Sequence, residues 1–119
     1  MPLVRIEMLE GKSLAYKKNV LNAVHEGLLE AFQIADDDRF QRIAEYKKEN
    51  FETPEGKTDA FMIVELTVFP GRTKEQKQRA IESITQKLCR RLAIQPTDVF
   101  IVFHEPPLEN WGMAGRQKG

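Results

Sequence analysis

An internal repeat constrains this chain more than any other feature. Gly71 lies 60 positions after Gly11, and the same offset pairs Val4 with Val64, Lys17 with Lys77 and Leu28 with Leu88. It also pairs Ile34 with Ile94, Asp38 with Asp98 and Phe40 with Phe100, and it sets Glu49-Asn50-Phe51 against Glu109-Asn110-Trp111. Similar residues fill other places: Lys12 and Arg72, Ser13 and Thr73, Leu21 and Ile81. A gapless register that keeps turns, caps and apolar stripes aligned is the mark of a duplicated supersecondary unit.

The unit itself reads as strand–helix–strand. Residues 3–9 alternate apolar and polar after Leu3-Val4, which suits a strand. Glu10-Gly11-Lys12 turns, and Ser13 is placed to cap a helix running from Leu14 to Phe32, with Leu21, Val24, Leu28 and Phe32 on one stripe. Residues 34–38 break that helix, and Arg39 to Tyr46 suits a second strand. In the second half Ala60 to Phe69 is a strand. Thr73 with Gln76 forms a capping box before the stripe Ile81, Ile84, Leu88 and Leu92, and Val99 to Phe103 is a buried strand. Each crossover joins parallel strands and should be right-handed. The expected fold is therefore α/β (α+β): a four-stranded mixed sheet with two helices on one face. One domain, residues 1–119, would hold repeats at about 2–51 and 62–111, joined by a polar loop that carries Pro54 and Gly56. The helix-free sheet face is expected to be apolar and covered by other subunits.

Composition removes several function classes. Acidic and basic residues balance at 18 each with no long basic run, which argues against nucleic acid as a partner. No apolar stretch is long enough for a membrane span, and the N-terminus lacks a signal-peptide core. The single cysteine, Cys89, allows no internal disulfide, which fits a cytoplasmic location. No His/Cys/Asp cluster has metal-ligand spacing and there is no phosphate loop, so neither a metal nor a cofactor is expected.

Chemistry is expected at the start of the chain. An initiator Met followed by a small residue is ordinarily removed, and proline qualifies. The product would carry a secondary amine at Pro2. A free α-amine titrates near ~8 in model peptides, so it can act as base or acid around neutrality. The apolar run that follows at once would hold that amine against the body of the fold. Its repeat mate, Met62, is internal, so only one such amine can exist per protomer.

These residues resemble the tautomerase superfamily, closest to the long fused-chain branch near malonate semialdehyde decarboxylase. The stretches that carry the resemblance are Pro2-Leu3 with Leu9-Glu10-Gly11, Asp38-Arg39-Phe40-Gln41, Gly71-Arg72-Thr73 with Glu75-Gln76-Lys77, and Asn110-Trp111 with Gly112 and Gly115. The resemblance implies catalysis by an amino-terminal proline and assembly of β-α-β units, as a homotrimer at this length. It implies that Asp38 assists Pro2 and that Arg72 handles a substrate carboxylate. Where the decarboxylase has a further arginine, this chain has Pro70, which favours tautomerisation over decarboxylation.

The remaining candidates come from the residues themselves. The guanidinium of Arg72 suits a planar carboxylate, and the helix that opens at Thr73 adds a favourable dipole. Arg39 is a candidate second anion contact. Phe40, Phe51 and Trp111 are candidate pocket walls, with Trp111 suited to a lid or a subunit contact. Asp98 shares the setting of Asp38, so both could simply cap turns. His25, His104, Glu105 and Cys89 are read as structural. The expected function is enol–keto tautomerisation of a small 2-oxo acid, such as an aryl or dienol pyruvate. Decarboxylation or hydration of a 3-oxo acid such as malonate semialdehyde is the second reading. A non-catalytic oligomeric binding module is the third.

Overall fold

A computed structural model describes all of residues 1–119. The elements run β1 (Leu3–Leu9), α1 (Leu14–Phe32), β2 (Phe40–Tyr46), β3 (Met62–Thr67), α2 (Lys74–Leu92) and β4 (Val99–His104). A short hairpin of β5 (Gly112–Met113) and β6 (Arg116–Gln117) follows. The main sheet has the order β2-β1-β3-β4. β1 pairs parallel with β2 and β3 parallel with β4, while β1 and β3 pair antiparallel at the centre. This is the expected mixed sheet with its two crossover helices.

Residues sixty apart occupy matching places. Leu3 pairs with Phe40 as Ile63 pairs with Phe100. Both helices have 19 residues, capped by Ser13 and Thr73, and both end on a left-handed residue, Gln33 and Ala93. Ser13 accepts from Tyr16 N at 3.1 Å. Thr73 and Gln76 bond reciprocally at 2.9 and 3.1 Å, completing the capping box. Gly11 and Gly71 lead into the helices at φ of 106° and 117°, a conformation that costs a residue with a Cβ. Lys17 bonds Glu45 at 3.1 Å, and its mate Lys77 bonds Glu105 at 2.7 Å.

The core lies between the helices and one sheet face. Val4, Ile6 and Met8 of β1 and Met62, Val64 and Leu66 of β3 are buried there against Val20, Val24 and Leu28 of α1 and Ile84 and Leu88 of α2. The period of two in the central strands sends these residues to the helices and their neighbours to the other face. Gly27 brings α1 onto α2: a Cβ there would sit 2.5 Å from the Ile84 side chain and 2.9 Å from its backbone.

The helix-free face corrects one expectation, because it is mixed and not uniformly apolar. Phe100 is 62% exposed, Phe40 43% and Val102 38%. Among them the same alternation presents charge. Tyr46 donates to Glu7 at 2.5 Å, and Arg5 reaches both Glu7 and Tyr46 at 3.4 Å. His104 lies 3.9 Å from Glu65. Phe51 also departs from its candidate role. It stacks on Tyr46 with centroids 5.5 Å apart and meets Phe61 at 6.1 Å, which fixes the inter-repeat loop.

Gly27→Ala should destabilise the chain by about 1–3 kcal/mol, because the added methyl cannot fit without separating the helices. Urea unfolding measures this; an unchanged midpoint would contradict the close approach.

Candidate active site

Strand register builds the site. Carrying the β1–β2 pairing two residues beyond Leu3 and Phe40 sets Met1 beside Asp38. Carrying the antiparallel β1–β3 pairing equally far sets Met1 beside Phe69. The Met1 amine accordingly lies 3.1 Å from Asp38 Oδ2. The other carboxylate oxygen, Oδ1, is buried without a hydrogen-bond partner in the chain. Pro2 is buried. Loss of Met1 would move the amine one residue along, a step of about 3.8 Å.

Arg72 closes another side. It follows the Pro70-Gly71 turn and immediately precedes the cap of α2. Its guanidinium lies over the Phe32 ring, 4.3 Å from the centroid, and Phe32 meets Phe103 at 5.9 Å. Burial pushes the Arg72 pKa down from its ordinary value, while the negative charges of Asp38 and Glu105 oppose the shift. Arginine stays charged under such a shift. The result is a partly desolvated cation within the electrostatic reach of two carboxylates.

Trp111 lies near the chain terminus and lines a cavity with Met1. It packs edge-on against Phe69 with centroids 4.8 Å apart, and its indole N–H donates to the Pro106 carbonyl at 3.1 Å. Both rings line that cavity, whose volume is about 450 Å³. Met1 is therefore shared: its amine faces Asp38 and the residue borders the cavity.

The other sequence candidates separate in space. Arg39 points along α1 and donates to Asn22 at 2.8 Å. Phe40 is on the helix-free face, paired with Leu3. Both follow Asp38 directly in sequence, but strand alternation sends them to opposite faces. His25 is buried with Nε2 at 2.8 Å from the Asp36 carbonyl. Burial pushes the Cys89 thiol pKa up, with Asp98 adding to the effect, so it is a poor nucleophile. No group of three or more His, Cys, Asp or Glu is placed to hold a metal ion. Phe32 and Phe69 are the members that the sequence reading missed. Phe32 was read as core stripe, and Phe69 as a strand residue.

The repeat supplies an internal comparison. Asp98, the mate of Asp38, is only 1% exposed and accepts from Thr58 N at 2.8 Å and Thr58 Oγ1 at 2.6 Å. The chain entering β3 thus occupies the carboxylate that, in the first half, faces the chain terminus. Lys12, the mate of Arg72, donates to the Asp59 carbonyl at 3.1 Å. Equivalent residues are used up by structure in one half and left open in the other.

Comparison with known proteins gives the family and the fold. A family model described as a tautomerase enzyme matches residues 38–114. The chain belongs to the tautomerase family. A second model of the same description matches residues 2–59. Probable tautomerase YusQ from Bacillus subtilis (strain 168) is 28% identical, over 96% of this chain and 94% of its own. A malonate semialdehyde decarboxylase with decarboxylase and hydratase activities is 25% identical, with a TM-score of 0.87, over 96% of this chain and 91% of its own. A fused 4-OT that forms an asymmetric trimer shares the fold, with a TM-score of 0.87 at 15% identity over 98% and 95% of the two chains. No helix is long and apolar enough to cross a membrane.

The two aspartates should respond differently to truncation. Asp98→Ala should cost about 2–3 kcal/mol of stability, since it strips two buried hydrogen bonds from Thr58. Asp38→Ala should cost under about 1 kcal/mol, the scale of a partly exposed ion pair. Urea midpoints for the two variants test this, and equal losses would contradict the asymmetry.

Proposed function

We propose that this member of the tautomerase family is an isomerase that uses the Pro2 amine to convert a small enol acid to its 2-oxo form. The observation that carries the reading is the 3.1 Å contact between the chain terminus and Asp38, beside a half-buried Arg72. Arg72 binds the substrate carboxylate through its fork of donors. The neutral Pro2 amine accepts the enol hydroxyl proton. The electrons of that O–H bond form the carbonyl, and the C=C pair takes the proton back from the ammonium at carbon. Atoms and charge balance with no redox partner. Asp38 stabilises the ammonium between the two transfers, and the Phe69–Trp111 wall limits water. Of the other residues proposed to touch substrate, Arg39 and Phe40 lie outside this cluster. A role for Phe40 would come through its exposed ring at a subunit contact.

One observation favours a second reading. A carboxylate at the chain terminus is placed to pair with an ammonium there, the charge state an acid needs in decarboxylation or hydration of a 3-oxo acid. The similarity to malonate semialdehyde decarboxylase points the same way, whereas Pro70 removes one cation from that chemistry. Enol-phenylpyruvate and malonate semialdehyde, assayed in parallel, separate the two. We expect faster enol decay than in buffer, and its absence would reject the tautomerase reading.

The active chain should have an intact mass lacking Met1; a mass that includes it would leave the amine blocked and support a non-catalytic binding module. Pro2→Ala should lower kcat/KM by at least about 100-fold, the scale of general acid–base catalysis. Arg72→Ala should raise KM about tenfold for an acidic substrate and little for a neutral one. Equal effects on both would argue against carboxylate binding. The exposed Phe40, Phe100 and Val102 on the helix-free face support assembly as a homotrimer, which light scattering on the purified chain measures.

A further inference from the structure

Asp38 is held in place by its neighbours in sequence more than by its own side chain. Its carboxylate meets the terminal amine through Oδ2, while Oδ1 has no partner in the chain. Three polar side-chain contacts tie the surrounding segment to α1. His25, 2% exposed, meets the Asp36 carbonyl through Nε2 at 2.8 Å. Arg39 donates to Asn22 Oδ1 at 2.8 Å, and Gln41 Nε2 donates to the Leu21 carbonyl at 2.9 Å. Asp38 lies between the first tie and the other two, so the backbone that carries it is anchored on both sides. A carbonyl only accepts, so Nε2 of His25 carries the hydrogen. The Asp36 carboxylate itself is 96% exposed, and the histidine holds its backbone.

The second repeat does without these ties. Sixty positions on from His25 is Thr85, whose hydroxyl donates to the Ile81 carbonyl of its own helix at 2.7 Å. Arg39 and Gln41 give way to Val99 and Ile101, whose side chains have no polar group. Asp36 gives way to Pro96, which fixes its own φ at the start of a short 3-10 turn, Pro96–Asp98. Thr58 then binds both oxygens of Asp98. The ties to the helix therefore occur only in the repeat whose aspartate faces the chain terminus. They are held at a cost, because Nδ1 of the buried imidazole has no partner in the chain.

We infer that His25 is a positioning residue for the chain-terminus site: by holding the Asp36 carbonyl it sets where Asp38 stands relative to the terminal amine. This rests on the proposed reading of the Pro2 site. His25 touches neither the amine nor the reacting atoms and acts through the turn that leads to Asp38. Without its donor that turn can shift, and a displacement on the order of 1 Å at a reacting group costs up to about 100-fold in rate.

The coupling between Pro2 and Asp38 is the readout, because lost stability alone does not move it in the folded chain. In the mature chain, Asp38→Asn should lower the NMR titration midpoint of the Pro2 nitrogen. In a His25→Leu background that fall should shrink to about half or less. His25→Gln, whose amide N–H can reach the same carbonyl, should restore it. With enol-phenylpyruvate, His25→Leu should lower kcat at least about tenfold and leave KM within about twofold, since Arg72 is untouched. His25→Gln should again recover. Gln41→Met removes a second tie at a half-buried position and should weaken the same coupling, which keeps the test open if His25→Leu does not fold. A fall of full size in His25→Leu, or in Gln41→Met where His25→Leu is unfolded, would overturn the proposal and leave the Pro2 reading in place. No fall with Asp38→Asn in the unchanged chain would overturn both. The expected change in coupling without enol turnover would support the positioning role and reject the tautomerase reading alone.

Discussion

The parallel pairing of β1 with β2 is the constraint on which the site depends. It sets residues 37 apart side by side, Leu3 against Phe40, so the start of the chain lies beside the segment that enters β2. The central antiparallel pair then aligns the end of β3 with that same corner. Pro70-Gly71 turns there, Arg72 follows, and α2 begins. Three segments remote in sequence, around residues 1, 38 and 72, thus meet because hydrogen-bonded strands cannot slip without moving the core residues to the wrong face. Packing of Val4, Ile6, Val64 and Leu66 under the helices holds that register.

Duplication explains the scaffold, and the break in duplication underlies the chemistry proposed for it. Both repeats place an aspartate before the outer strand and a cation before a helix cap. In the second repeat a continuous chain passes the aspartate, and Thr58 satisfies it through a backbone N–H and a hydroxyl. In the first repeat the chain has a terminus there, and one carboxylate oxygen remains unbonded. A chain end brings a titratable amine where a continuous chain brings only an amide. That difference is why the proposed reading puts proton transfer at one of the two equivalent corners.

Much of this was legible in the sequence because it is periodic or local. The offset of sixty, the Ser13 and Thr73 caps and the helical stripes each correspond to a structural element. The resemblance drawn from Pro2, Asp38, Arg72 and Trp111 agrees with the family match. What was not legible depends on which way a strand faces. Arg39 and Phe40 neighbour Asp38 in sequence, yet alternation carries them to opposite faces. The helix-free face was expected to be apolar, because two helices on one side leave the other side of the sheet uncovered. Arg5, Glu7 and Tyr46 join only across strands, which makes that face mixed. The C-terminal hairpin left a faint trace, Gly112 and Gly115 after Trp111, because two-residue strands carry no periodicity. The close approach at Gly27 left none, since its repeat mate is Lys87 and the contact is made by only one helix.

The central claim is that a secondary amine at Pro2 titrates under the influence of Asp38 and Arg72. An NMR titration of the isotopically labelled Pro2 nitrogen tests it most directly, in the unchanged chain and in Asp38→Asn and Arg72→Gln. Removing the carboxylate takes away a charge that favours the ammonium, so the midpoint should fall in Asp38→Asn. Removing the cation should raise it in Arg72→Gln. A Pro2 nitrogen that does not titrate, or a midpoint indifferent to both substitutions, would contradict the account.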